Sequence, residues 1–278
     1  MSTSARPGWL LYRNEDIAKN RFFIEQLTSQ LANHNLKVRL VPLESLNFRI
    51  DSAAIELPDF VINRSFSDGA TEVLESLGIP CFNRSSISRI GNNKALTLAL
   101  ADRLGIPTMD SLVYYGPSGH LSPPLDGPVV TKAVGGHGGA QVSMTSSFNE
   151  ELVCNATPEE PVLVQRFNSR GSTDHRCYIF ATGARFWVQR SATSPSEFRS
   201  NISLGGVVNP YEPTKAEVLI ADAMFESLGP GNYAVDLIEC ESGFALNEIE
   251  DSCGYRALYI LKLCNPAQLI VSNLAERL

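Results

Sequence analysis

The sequence predicts an α/β fold of two or three lobes, with α+β character in the later ones. Three stretches support this. Residues 1–88 read strand, helix, strand, strand, helix, strand, the succession of a small, mostly parallel sheet. Residues 129–144 read as two strands joined by a glycine-rich connection. Residues 233–255, YAVDLIECESGFALNEIEDSCGY, read as two short strands about a tight turn at Glu241, Ser242 and Gly243.

In order, Trp9 to Tyr12 is an apolar run that reads as a buried first strand. Asn14 or Asp16 would cap the next helix, with Ile17, Ile24, Leu27 and Leu31 on one face. Val38 to Leu43 is the second strand, with Pro42 marking its end or a sheet edge. Phe60 to Asn63 is the third strand, Thr71 to Leu77 a helix closed by Gly78, and Ile79 to Phe82 the fourth strand. Ligands of such sheets bind beyond the carboxyl ends of the strands. Arg13, Asn63 and Arg64, with Ser65, are therefore substrate candidates, against the plain alternative of loop polarity. Residues 89–106 read as one helix, with Lys94 in its first turns and Pro107 stopping it. The stretch 116–128 is a Gly/Pro/Ser loop, and Val129 to Ala133 and Gln141 to Met144 are strands around Gly135-Gly136-His137-Gly138-Gly139. Val162 to Phe167, Arg176 to Phe180 and Arg185 to Gln189 are further strands, and 205–213 is a loop. Thr214-Lys215-Ala216-Glu217 is a capping box that opens a helix to Leu228. Residues 255–263 and 266–278 close the chain as helices.

At 278 residues, 44% hydrophobic and 19% charged, the chain has the composition of a soluble globular enzyme. A net charge of -7 argues against nucleic acid as the main partner. There is no apolar run long enough to cross a membrane, and MSTSARPGW lacks a hydrophobic signal core. The six cysteines form no C-x-x-C pair, which suits reduced thiols and a cytoplasmic location. The four histidines show no zinc spacing, and no G-x-S-x-G or Cys/His signature is present.

Three features carry chemistry. With the hairpin turn centred on Ser242, Asp236 falls opposite Glu248, and period 2 puts Glu250 on their face and Asn247 on the other. Opposed residues of one face lie ~5 Å apart at Cβ, so the carboxylates either flank a hard divalent cation or form a solvated acidic hairpin. The glycine-rich connection follows Lys132 and can offer N–H groups to phosphate or serve as a simple turn; it is neither a Walker A loop nor G-x-G-x-x-G. Between Gln165 and Asn201, Arg166, Arg170, Arg176, Arg185, Arg190 and Arg199 face only Asp174 and Glu197, a cationic window suited to a polyanion or to a solvated basic face.

In order, VVTKAVGGHGG, VLVQRF with DHRCYI, FRSNISLGG, and AVDLIE with NEIE resemble the ATP-grasp superfamily over nearly the whole chain. The likeness is to its ribosomal-protein glutamate ligase and amino-acid ligase branch. It implies an ATP-grasp fold with a Rossmann-like pre-ATP-grasp domain at 1–88, a central subdomain at 89–164 and a C-terminal subdomain at 165–278. It implies ATP held by Lys94, Lys132, the flap residues Gly136, His137, Gly138 and Gly139, the hinge Gln165, Arg166 and Phe167, and Asp174. Arg176, Arg190, Arg199 and Asn201 would act on the transferred phosphoryl and acyl groups. Asp236, Glu248 and Glu250 would bind magnesium, with manganese as the alternative ion. Relatives usually carry Asn at the position of Glu250, and Asp251 beside it could share its role. The implied activity is ATP-dependent ligation of a small carboxylate to an amine through an acyl phosphate, with a homodimer as the default assembly. A phosphotransferase and a non-catalytic nucleotide-binding regulator are the alternatives.

Overall fold

The computed structural model describes residues 5–47, 57–117, 121–136, 142–168, 173–192, 206–241 and 243–278. Of the expected site residues, His137, Gly138, Gly139, Arg199 and Asn201 lie outside them, as does Arg170. The N-terminal elements are β1 (Arg6–Tyr12), α1 (Asn14–Ile17), α2 (Arg21–Ala32), β2 (Leu36–Pro42), β3 (Phe60–Asn63), α3 (Asp68–Ser76) and β4 (Cys81–Phe82). The four strands form a parallel sheet in the order β2-β1-β3-β4. Pro42 both ends β2 and lies on the sheet edge, where its missing N–H costs no ladder bond. Gly78 follows α3 with φ 82°, a conformation glycine adopts freely.

Two helical expectations change. Asn14 and Asp16 do not cap the first helix; they lie inside the short α1, and the chain breaks before α2 starts at Arg21. The expected helix over 89–106 is two helices, α4 (Ser85–Gly91) and α5 (Lys94–Arg103). The break falls at Asn92–Asn93 because the Asn93 side chain accepts from the Leu96 N–H at 3.0 Å and caps α5 anew. Lys94 thereby becomes the first residue of a helix.

The central sheet contains β5 (Ser111–Tyr114), β6 (Val129–Ala133), β7 (Val142–Thr145) and β8 (Val162–Arg166), antiparallel in the order β5-β8-β6-β7. The boundary expected between residues 164 and 165 falls within β8. The third sheet contains β9 (Thr173–Ile179), β10 (Arg185–Ser191), β11 (Val207–Pro210), β12 (Tyr233–Cys240) and β13 (Gly243–Glu250), in the order β11-β10-β9-β12-β13. Helix α6 (Lys215–Leu228) precedes β12, and α7 (Arg256–Ile260) and α8 (Pro266–Arg277) follow β13.

Alternation along the third sheet splits it into two faces. Cys177, Ile179, Trp187, Val235, Leu237 and Ile249 pack against α4–α6 in one core. Tyr178, Phe180, Val188 and Ala234 join the other face to α2, α7, α8 and the N-terminal sheet. Each fully buried side chain of this size contributes about 1.5–3 kcal/mol relative to exposure. The first and third sheets are therefore fused by a shared core, and the charged residues of the second face lie along that junction. Among the described residues no helix is long and apolar enough to cross a membrane.

Candidate active site

Asp236 and Glu248 are paired across β12 and β13, as the hairpin reading expects, but by a different route. Cys240 pairs with Gly243, so the turn has two residues and Gly243 belongs to β13. That register alone would set Asp236 opposite Asn247. A bulge between Asp236 and Leu237 in the pairing skips Asn247 and restores Asp236 to Glu248. The bulge also overturns the expectation that Asn247 turns away: its Oδ1 accepts from Lys132 Nζ at 3.1 Å.

Lys132 lies on β6 and also donates to Gln165 Oε1 at 2.9 Å. Burial pushes its ammonium down and Lys94 adds to this, while Glu248 and Asp236 oppose. Lys94, opening α5, donates to the Gly136 carbonyl and lies 3.7 Å from Glu248 Oε2. The two lysines, one from a helix and one from the central sheet, thus meet on β13.

Behind them is a ladder of buried charge. Arg176 lies opposite Asp236 on neighbouring strands, and Arg190 lies opposite Asp174. Arg176 grips Asp236 with two bonds of 2.7 Å. Arg190 grips Asp174 at 2.6 and 2.7 Å and adds a 2.7 Å bond to Asp236 Oδ2. Arg176 Nη1 is also 2.6 Å from Glu250 Oε2. Such bidentate, charge-assisted pairs fix both planes. Burial alone would raise the Asp236 carboxyl, but the two guanidiniums hold it below the usual carboxylate range.

This answers where a cation fits. The donors are oxygen atoms suited to a hard cation. Glu248 and Glu250 fit that role: their side chains are 25% and 17% exposed. Asp236, at 2%, spends both oxygens on Arg176 and Arg190. The expected set of three carboxylates is therefore not assembled as one cluster, and among the described residues no group of three such side chains is placed to hold a metal.

The expected hinge differs in detail. Gln165 turns its side chain to Lys132 and Ser111, and the Arg166 side chain pairs with Asp110 at 2.9 Å. The N–H groups of Arg166 and Phe167 already donate to the carbonyls of Asp110 and Pro128 at 2.8 and 2.9 Å.

Of the substrate candidates, Arg13 alone keeps an accessible head. Its side chain is 37% exposed, donates to the Ser65 carbonyl and lies over the Phe66 ring. Asn63 is buried and bonds Ser67, Thr71 and Ser65, which shapes the loop after β3. Arg64 is buried among the rings of Tyr12, Phe23 and Tyr255 and donates to Tyr12 Oη and to the carbonyls of Ser252 and Cys253. Asn63 and Arg64 thus build the fold around the cleft. Asp251 does not share the position of Glu250: it is 1% exposed and accepts from Asn83 and Asn92, neither of which stood out in the sequence. Cys253 is buried, and burial pushes its thiol up to about 12, so no thiolate forms near neutral pH.

A family model for the RimK-like ATP-grasp domain matches residues 91–272. The chain belongs to this family. This bears out the expected ATP-grasp fold and the expected class of activity, ATP-dependent amide-bond formation. An uncharacterized protein of Mycoplasma genitalium is 25% identical over 98% of this chain and 93% of its own. The glutamate–LysW ligase ArgX of Sulfurisphaera tokodaii is 24% identical over 74% of this chain and 77% of its own. Among solved structures, a RimK domain ATP-grasp protein of Sphaerobacter thermophilus superposes with a TM-score of 0.70 at 19% identity, over 95% of this chain and 98% of that one.

Proposed function

We propose that the protein is an ADP-forming ligase that joins the carboxylate of an amino acid or small peptide to an amine. The observation that carries this reading is the meeting of Lys94 and Lys132 at Asn247 and Glu248, in front of the Arg176–Arg190 ladder. Lysines on one side and arginines on the other suit a phosphoryl group passing between them, a transfer governed by position and charge.

In this reading Lys94 and Lys132 hold the ATP phosphates, and Gln165 to Phe167 border the adenine. Glu248 and Glu250 would hold magnesium, with manganese as the alternative, and the ion when bound supplies positive charge to the phosphate oxygens. Asp236 and Asp174 orient Arg176 and Arg190 toward the transferred group. Gly136 anchors Lys94, and the flap residues His137, Gly138 and Gly139, with Arg199 and Asn201, keep the roles that the family likeness implies. Arg13 is positioned to meet a substrate carboxylate.

The substrate carboxylate oxygen attacks the γ-phosphorus, the bond to ADP breaks, and an acyl phosphate forms. The amine nitrogen then attacks the acyl carbon, and phosphate leaves with the proton. No protein nucleophile is required, in keeping with the inert Cys253. Relatives named as glutamate ligases support an amino acid as one partner, with glutamate the first to test. Free cysteines and the lack of a membrane-crossing helix among the described residues support a cytoplasmic location.

The test is release of ADP and of inorganic phosphate with pools of amino acids, each pool offered with and without added amine. Ligation gives both products in equal amounts together with an amide product, whether the amine is the added compound or an amino acid of the pool. ADP without free phosphate would replace this reading with a phosphotransferase, and neither product would leave a nucleotide-binding regulator.

A further inference from the structure

Four contacts converge on the residues that follow Glu250. The Asp251 carboxylate, 1% exposed, accepts from Asn83 Nδ2 on one oxygen and from Asn92 Nδ2 at 3.4 Å on the other. Arg64 Nη2 donates to the carbonyls of Ser252 and Cys253 at 3.1 and 2.8 Å. The end of α4 is pressed against the same point: a Cβ on Gly91 would lie 2.9 Å from the Asp251 nitrogen, so only glycine permits this approach. Asn92 is two residues before Lys94, whose own N–H donates to the Val134 carbonyl at 3.0 Å.

These contacts close a loop. From Asn92 the chain runs through the Asn93 cap to Lys94, and Lys94 reaches Glu248 across the cleft. From Asp251 the chain runs back one residue to Glu250 and three to Glu248. The Asn92–Asp251 contact is therefore a further tie between the segment that opens into the helix bearing Lys94 and the strand bearing both accessible carboxylates, beside the Lys94–Glu248 pair and the core that Leu100 and Ala101 share with Leu246 and Ile249. Asn83, which also exchanges two bonds with the backbone of Asn232, ties the same carboxylate to the N-terminal sheet.

We propose that Asp251 is a positioning residue: through Asn92 and Asn83 it sets Glu248 and Glu250 at their distance from Lys94. This rests on the ligase reading, in which those carboxylates hold the cation and Lys94 the phosphates. Residues that orient the groups holding a metal typically change affinity or rate by about 10–100-fold when altered.

The test is calorimetric binding of a non-hydrolysable ATP analogue with and without magnesium, for the wild type, Asp251→Asn, Asn92→Ala and Thr214→Ala. Thr214 caps α6 by bonding Glu217, and bonds neither Asn92 nor Asp251, so it controls for lost stability alone. Asp251→Asn should lower the magnesium enhancement of binding by about 10-fold or more, leave metal-free binding unchanged, and lower kcat. Asn92→Ala, which keeps the Asp251 charge and decides the matter if Asp251→Asn does not fold, should move the enhancement the same way. Thr214→Ala should leave it unchanged. An unaltered enhancement in the Asp251 and Asn92 variants, with only melting temperature lowered, would overturn the proposal. A wild type without any magnesium enhancement would instead overturn the ligase reading beneath it.

Discussion

Substituting the two opposed carboxylates of the hairpin should give opposite results, although both changes remove one charge. Glu248 is 25% exposed at its side chain and, among the described residues, pairs with Lys94 at 3.7 Å. The pair is partly buried but long, with no hydrogen bond between the two groups, and is worth about 1 kcal/mol, near the upper end for surface pairs. Glu248→Gln should therefore shift Tm by no more than about 2–4 °C for a chain of this size. Its effect on turnover should be far larger, because a preorganised charge at the phosphoryl group is worth about 3–4 kcal/mol, or roughly 10²–10³ in kcat. Asp236 is the reverse case. It is 2% exposed and takes three bonds of 2.7 Å from Arg176 and Arg190. In Asp236→Asn one amide N–H would point at a guanidinium, and breaking a buried pair costs about 3–5 kcal/mol. That variant should melt at least 6 °C lower, by roughly the same conversion. Differential scanning calorimetry with ADP release on the same samples reads both. A Glu248→Gln enzyme with wild-type turnover, or an Asp236→Asn enzyme with wild-type Tm, would refute the reasoning.

Other outcomes follow from individual contacts. Arg64→Ala should cost several kcal/mol, because it frees two buried carbonyls and a cage of three rings, yet leave substrate KM unchanged in the folded fraction, as steady-state kinetics would check. Arg13→Ala should raise the KM of one substrate at least several-fold without changing Tm by more than about 2 °C. Burial works to raise the Glu217 carboxyl, but bonds from His175, Thr214 and Tyr211 hold it below the ordinary value. Its stabilisation is therefore present above the unfolded carboxylate pKa of about 4.3 and is lost as pH falls through the lower folded value. Denaturant titration across the acid range should show a flatter acid limb for Glu217→Gln than for the wild type.

Elements whose signal is local were legible in the sequence. β3 and β6 have the expected limits, and the Thr214–Glu217 capping box opens α6 as read, because a cap is a contact three residues long. β5 and β11 were missed: β5 is four residues and mostly half-buried, and β11 lies in a segment that Gly and Pro mark as loop. The hairpin is the most instructive case. Its pairing of Asp236 with Glu248 was expected from a three-residue turn, whereas a two-residue turn and a bulge supply it. A pattern of period 2 does not reveal a bulge, so the turn of Asn247 toward Lys132 was hidden. Polarity after a strand did suggest ligand contact for Asn63 and Arg64. Their partners at Thr71, Ser252 and Cys253 are set by tertiary packing, which no local spacing encodes.

The central claim is that the substrate carboxylate is activated by phosphorylation and then displaced by an amine. The direct test gives the enzyme ATP, magnesium, an amine and amino acids labelled with oxygen-18 in their carboxylates, and follows the label by mass spectrometry. One labelled oxygen should appear in inorganic phosphate for each amide bond formed. Amide formed with unlabelled phosphate, or labelled oxygen recovered only in AMP, would contradict it.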